Sequence, residues 1–236
     1  MKSRKISLTP RKEDTREARP MLVRFDLSEI LQHFTESIDE IKKQFDVADE
    51  LLRAGNEIAC KMVWRSQVVL AEGLLDFYIH EMSKYCLVKM FSGTWPKTDK
   101  YKSFQIPMEK VEMAIATLES NDWFFEYLNE RFSRDVFLSS ESVKDQLNLI
   151  GIPFKQVMTK AFPSKNENEA MKVGKEVISN LFKRRNEIVH QNDRSHASAE
   201  QTDITKEYVE DYISKIESIV NAIQMTAKEK VYQEVS

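Results

Sequence analysis

Glycine and proline are scarce in this chain, 5 and 6 among 236 residues. A β-rich fold takes most of its tight turns from these two, so their scarcity argues against one. Cysteine is nearly absent. Cys60 and Cys86 fall inside apolar helical patterns and read as buried reduced thiols, and metal-ligand spacing is missing. No apolar run reaches the roughly 20 residues of a membrane-spanning helix. The N-terminus lacks the apolar stretch of a secretory signal, so a cytoplasmic location without membrane contact is expected. Neither sign of charge dominates: the formal net charge is −3. A nucleic-acid site would therefore have to be a local patch. The hydrophobic share is 42% and the aromatic share 10%, enough for the core of one large domain, with or without an insertion.

Residues 1–20 carry Lys2, Arg4, Lys5, Arg11, Lys12, Arg16 and Arg19 with few large apolar residues, and read as a flexible basic arm. A solvated tail is the simpler reading, electrostatic contact with RNA the functional one. The single helical domain then spans 21–236. Asp26 and Glu29 have capping-box spacing, and Leu27, Leu31, Phe34, Ile38, Ile41 and Phe45 follow at helical steps, predicting a helix that reaches about Leu52. From Ala59 to Phe91 there is no proline and one glycine, which predicts a helix about 50 Å long. Most of its circumference is apolar, so it belongs in the middle of a bundle. Its narrow polar stripe holds Arg65, Glu72, Asp76, His80 and Ser83, and reads either as a solvated seam or as the carboxylate partner of a buried arginine.

Between Ser92 and Pro107, Trp95, Tyr101 and Phe104 alternate with Lys97, Lys100 and Lys102. Such interleaving can stack bases and neutralise phosphates, or it can be a connection whose aromatics dock on the core. Short helices are expected over Pro107–Glu119, Asp122–Phe132, Ser140–Ile150 and Phe154–Phe162, making 92–169 an accessory insertion. A last helix runs from about Asp203 to Lys230, with Ile204, Tyr208, Tyr212, Ile216, Ile219 and Ile223 on one face. The fold class is all-α, an antiparallel helical bundle with inserted short helices.

The most informative stretch is Lys183-Arg184-Arg185-Asn186-Glu187-Ile188-Val189-His190-Gln191-Asn192-Asp193, closing a helix that begins near Ala170. At about 100° per residue, Val177, Ile178, Leu181, Phe182, Ile188 and Val189 fill one apolar arc, and Arg185 falls near its middle. A guanidinium there must be paired or must reach past its neighbours to water, and if it is paired Glu72 or Asp76 is the expected carboxylate. His190 lies just past the edge of the arc, one turn beyond Asn186.

An arginine followed by a polar residue, and a histidine separated from the arginine by four to six residues, near the end of a helix in an all-helical domain, resembles the HEPN superfamily of nucleases. The long helical surroundings look most like its RiboL-PSP-type branch. Arg185 gives a separation of four and is followed by Asn186; Arg184 gives five, and Asn186 favours Arg185. The resemblance implies a metal-independent endoribonuclease, with Arg185, His190 and Asn186 catalytic and no cofactor. It implies a homodimer in which two motifs face one cleft, RNA as substrate, and a setting in toxin–antitoxin or phage-defence systems, where an antitoxin or defence partner is expected. Lys183 and Arg184 would guide RNA toward the cleft, or simply complement the negative end of the helix. His33 and His80 have no arginine in equivalent context; His196 is the runner-up acid. Toxins paired with nucleotidyltransferase antitoxins often carry a tyrosine two residues after the histidine. Asn192 stands there in this chain, which puts regulation by tyrosine modification in doubt.

The chemistry suits the residue types. RNA supplies its own nucleophile, the ribose 2′-hydroxyl. Histidine transfers protons near neutral pH, and arginine grips phosphoryl oxygens through its fork of donors.

Overall fold

Asp26 starts the first helix, as its spacing to Glu29 predicts. Its carboxylate accepts from the Ser28 and Glu29 amides at 2.8 and 2.9 Å, and Glu29 Oε2 accepts from the Asp26 amide at 2.7 Å. A computed structural model describes residues 24–116, 122–195, 197 and 199–233 of the chain. Among those residues it holds nine helices and no strand. The basic arm expected over 1–20 lies outside the described residues. Helix α1 (Leu27–Arg53) turns at Gly55, whose φ of +77° costs a glycine little, into α2 (Glu57–Phe91).

Helix α2 is the axis of the bundle. It packs along α1, and also against α8 (Glu167–Gln191) and α9 (Lys206–Gln233). Cys60, Val68, Ala71, Tyr78, Ile79, Met82, Cys86 and Leu87 are fully buried along it, so both cysteines sit in the core. Burial holds the Cys86 thiol far above its ordinary range. Polar side chains tie the axis to its neighbours. Gln67 donates to the Ile41 carbonyl at 2.8 Å, and the Tyr78 hydroxyl donates to Gln224 at 2.9 Å.

The stretch 92–169 contains α3 (Asp99–Lys102), a short turn that periodicity does not predict, then α4 (Met108–Ala116), α5 (Asp122–Phe132), α6 (Ser140–Leu149) and α7 (Phe154–Ala161). The expected end of α4 at Glu119 lies outside the described residues. Helix α7 packs on both α8 and α9, with Phe154, Val157 and Met158 buried. The last part of the 92–169 stretch thus contributes to the main core. Gly174 on α8 makes the approach possible, since a Cβ there would stand 2.1 Å from Met158 Sδ.

Candidate functional site

The arginine–histidine segment forms the last two turns of α8. Asn166 caps the start of the helix by accepting from the Glu169 amide at 2.9 Å. At the far end Asn192 and Asp193 both take positive φ, +50° and +58°, a conformation that Asn and Asp tolerate better than most residues. The chain then folds back on itself. The Asp193 amide donates to the Glu187 carbonyl at 2.9 Å, and the Thr202 amide donates to the Asp193 carbonyl at 2.8 Å.

What pins this reversal is a buried charge cluster. The Asp193 carboxylate, with a side chain 0% exposed, lies between two guanidinium groups. Arg184 grips it through Nη1 and Nη2, and Arg65 of α2 donates Nε to Oδ2 at 2.7 Å. Arg65 Nη2 also reaches the Thr202 carbonyl at 2.7 Å. The buried arginine of the pair is therefore Arg184, whose carboxylate comes from its own helix end. The wheel puts Arg185 nearer the middle of the arc because it cannot see Asp193 reaching back under Arg184.

Arg185 is half-buried. Its Nη1 donates to Asn186 Oδ1 at 3.0 Å, while its Nε is buried with no hydrogen-bond partner. The carboxyl that feels it is Glu72, 1% exposed on α2. Burial pushes the Glu72 carboxyl up to about 7, against the opposing pull of the Tyr212 hydroxyl and the Arg185 charge. Tyr212, from α9, is bonded to Glu72 Oε2 and also lies 2.9 Å from the Leu181 carbonyl. Asp76 is engaged elsewhere: it accepts from the Phe137 amide at 2.6 Å and stands 3.5 Å from His80 Nε2. His80 in turn packs against the rings of Phe132 and Phe137.

The polar stripe of α2 is thus not a solvated seam. Arg65, Glu72 and Ser83 are buried. The residues of α2 that are exposed beyond its first residue are instead Ile58, Met62, Ser66, Leu70, Gly73 and Phe77, an uncharged and mostly apolar row. It borders the row of Arg65, Glu72 and Asp76, since positions three and four apart adjoin on a helix. Across on α8, Val189 and His190 are exposed one turn past Arg185 and Asn186.

The other basic candidates are dispersed. Lys100 pairs with Asp145 and Lys102 with Asp99, both at 2.8 Å, and Lys97 lies over the Tyr101 ring. Trp95 is buried, so at least that aromatic docks on the core. Lys183 is exposed on α8 and only 3.9 Å from Glu187. His33 packs edge-on against Phe25, and His196 lies outside the described residues. Asp193, Arg65 and Tyr212 carry the local architecture without having been singled out as site residues. Arg65 stands seven residues before Glu72 on one helical face, the signal that could have marked it.

Among the described residues no three His, Cys, Asp or Glu side chains come together as a metal ion would require, and no helix is long and apolar enough to cross a membrane. Comparison with curated proteins and with solved structures gives no match. The family model RiboL-PSP-HEPN matches residues 24–228. That span contains all nine helices up to the last turn of α9, so the chain belongs to the RiboL-PSP-HEPN family.

Proposed function

We propose that this protein is a metal-independent endoribonuclease that works as a homodimer. The observation that carries the reading is the division of labour in the arginine pair. Arg184 is consumed by Asp193, whereas the half-buried Arg185 keeps donor capacity near the end of α8, five residues before the exposed His190. In this reading Arg185 binds the non-bridging oxygens of the scissile phosphate, and Asn186, whose side-chain oxygen accepts from it, aims its fork.

Arg185 and His190 diverge by roughly 140° on an unbroken helix. One chain therefore presents them in different directions, and a second copy is needed to bring a guanidinium and two imidazoles to one linkage. The exposed apolar row of α2 beside the motif supplies a surface that a two-fold partner would cover. With the two motifs facing, one His190 takes the proton of the ribose 2′-hydroxyl as its oxygen attacks phosphorus. The other His190 gives a proton to the departing 5′-oxygen as the P–O5′ bond breaks. The products are a 2′,3′-cyclic phosphate and a 5′-hydroxyl. A role as a toxin or phage-defence effector accords with such an activity.

The test is cleavage of total RNA by the purified protein. Wild type is expected to cut in the presence of EDTA and to leave 2′,3′-cyclic phosphate ends, and His190→Ala to abolish cutting. Equal cleavage by both proteins, or dependence on a divalent ion, overturns the reading. Binding of RNA or nucleotide with no cleavage would favour a non-catalytic HEPN module.

A further inference from the structure

The environment of Arg185 contains a proton that can be counted. Tyr212 has one hydroxyl proton and stands within bonding distance of two groups, Glu72 Oε2 and the Leu181 carbonyl at 2.9 Å. A backbone carbonyl can only accept. If Tyr212 donates to Leu181, the contact with Glu72 needs a proton from Glu72; if Tyr212 donates to an ionised Glu72, the buried Leu181 carbonyl loses its side-chain partner. The arrangement with every contact satisfied has Glu72 protonated. The same arrangement explains the second anomaly, a buried Arg185 Nε with no acceptor beside a carboxyl whose charge it feels. A neutral carboxyl has little hold on a guanidinium; an ionised one in the same place would attract it strongly.

We propose that Glu72 is a positioning residue for Arg185: with its proton on, it leaves the guanidinium free to meet a phosphate, and with its proton off, it draws the guanidinium inward. The proposal rests on the reading of Arg185 as the phosphate-binding residue. The groups facing Glu72 come from every element packed on that side. Tyr212 comes from α9, with Tyr208 behind it; Arg185 comes from α8; and Asp76 lies one turn along α2. Arg65 and Arg184 are neutralised in part by Asp193, and Tyr208 senses both Arg184 and Asp193. Arg185 is therefore the cation that an ionised Glu72 can recruit. The carboxyl is held near 7, so the change falls within the working range of a cell. Glutamine at position 72 mimics the protonated state, because its amide donates to Tyr212 while Tyr212 donates to Leu181.

Two measurements test this. The first compares RNA cleavage by wild type and Glu72→Gln from pH 6 to pH 8. The ratio of variant to wild type cancels every titration the two share, His190 included. With the Glu72 midpoint at about 7, the ratio is expected to rise about tenfold over that range; a ratio that stays level or falls overturns the proposal. The second follows the Glu72 side-chain carbon by NMR through a pH titration of wild type and Arg185→Gln. The midpoint should lie far above the ordinary carboxylate range and move further up when the guanidinium is removed. An ordinary midpoint, or one that Arg185→Gln leaves in place, overturns the proposal whatever the protein does to RNA. A titration as expected with no cleavage at any pH overturns the nuclease reading alone, and leaves the coupling of Glu72 to Arg185 standing.

Discussion

Asp193→Ala is the sharpest test of the structural reasoning. The Asp193 carboxylate is the shared counter-ion of Arg65 and Arg184, whose side chains are 5% and 9% exposed. Alanine would leave two guanidinium groups facing each other out of water. What remains to them is the backbone carbonyls of Thr202 and Asp203, at 2.7 and 3.4 Å, and for Arg184 the more exposed Glu187 carboxylate at 3.8 Å. Breaking a buried ion pair by removing one partner costs about 3–5 kcal/mol, chiefly through the charge left behind. With a urea dependence of about 3 kcal/mol per molar, that lowers the denaturation midpoint by roughly 1–1.7 M. The cycle with Arg184→Met separates this account from a simple loss of packing. If the stranded charge is the cause, Asp193→Ala should cost much less in a chain that already carries Arg184→Met, giving a coupling of about 1–3 kcal/mol. A midpoint shift under about 0.3 M, or a cost the same in both backgrounds, would refute the assignment of Asp193 as the lock on the end of α8. Because that lock sits three residues from His190, the folded variant should also lose RNA cleavage beyond what its unfolded fraction explains.

Gly174→Ala should destabilise by about 1–3 kcal/mol, because the new methyl must displace Met158. Gly73→Ala, also inside a helix but with nothing within 4 Å, should stabilise the isolated chain by about 0.5–1 kcal/mol; equal thermal shifts of one sign would refute the packing argument. Glu72 makes stability fall with rising pH. The folded state holds its proton up to about 7 and the unfolded state loses it near 4.5. Its contribution is thus complete below about 4.5 and is lost progressively as pH rises toward and through 7, by on the order of 3 kcal/mol in all. Glu72→Gln should flatten that slope in urea denaturation curves taken at successive pH values. Leu70→Glu with Phe77→Glu places two charges on the exposed row of α2 and, if the protein is the proposed dimer, should give a monomer by sedimentation with cleavage reduced at least tenfold, while the melting temperature of the dilute protein changes little; an unchanged sedimentation coefficient would refute a two-fold contact on this face.

Much of the fold is legible in the pattern of apolar residues. The capping box at Asp26, the central position of α2 and the run of α9 all follow from spacing, because each depends on neighbours within a turn or two. The limits appear where a residue's partner is distant in sequence. The wheel ranks Arg185 as more deeply placed than Arg184, yet Arg184 is the buried one. The deciding atom is the Asp193 carboxylate, which returns only because two consecutive residues adopt positive φ beyond the helix end. No periodicity encodes that reversal.

Helix α2 carries the same lesson further. Its pattern has one polar row and one apolar girdle, and the ordinary inference turns the polar row to solvent. The row turns inward instead, because Arg65 and Glu72 find Asp193 and Thr202 in the loop after α8 and Tyr212 on α9. The exposed row is then left with Ile58, Met62, Leu70 and Phe77. Within one chain that inversion ties α2 to the loop after α8 and to α9, but at a cost: burying charges costs desolvation, and exposing large apolar side chains forgoes the hydrophobic term. The proposed function would offset both costs, with the inward polar row serving the arginine–histidine segment and the outward apolar row meeting another surface. The inverted axis of the bundle is thus what the proposed dimer would use: an inward polar row under the arginine–histidine segment and an outward apolar row for the second copy to cover.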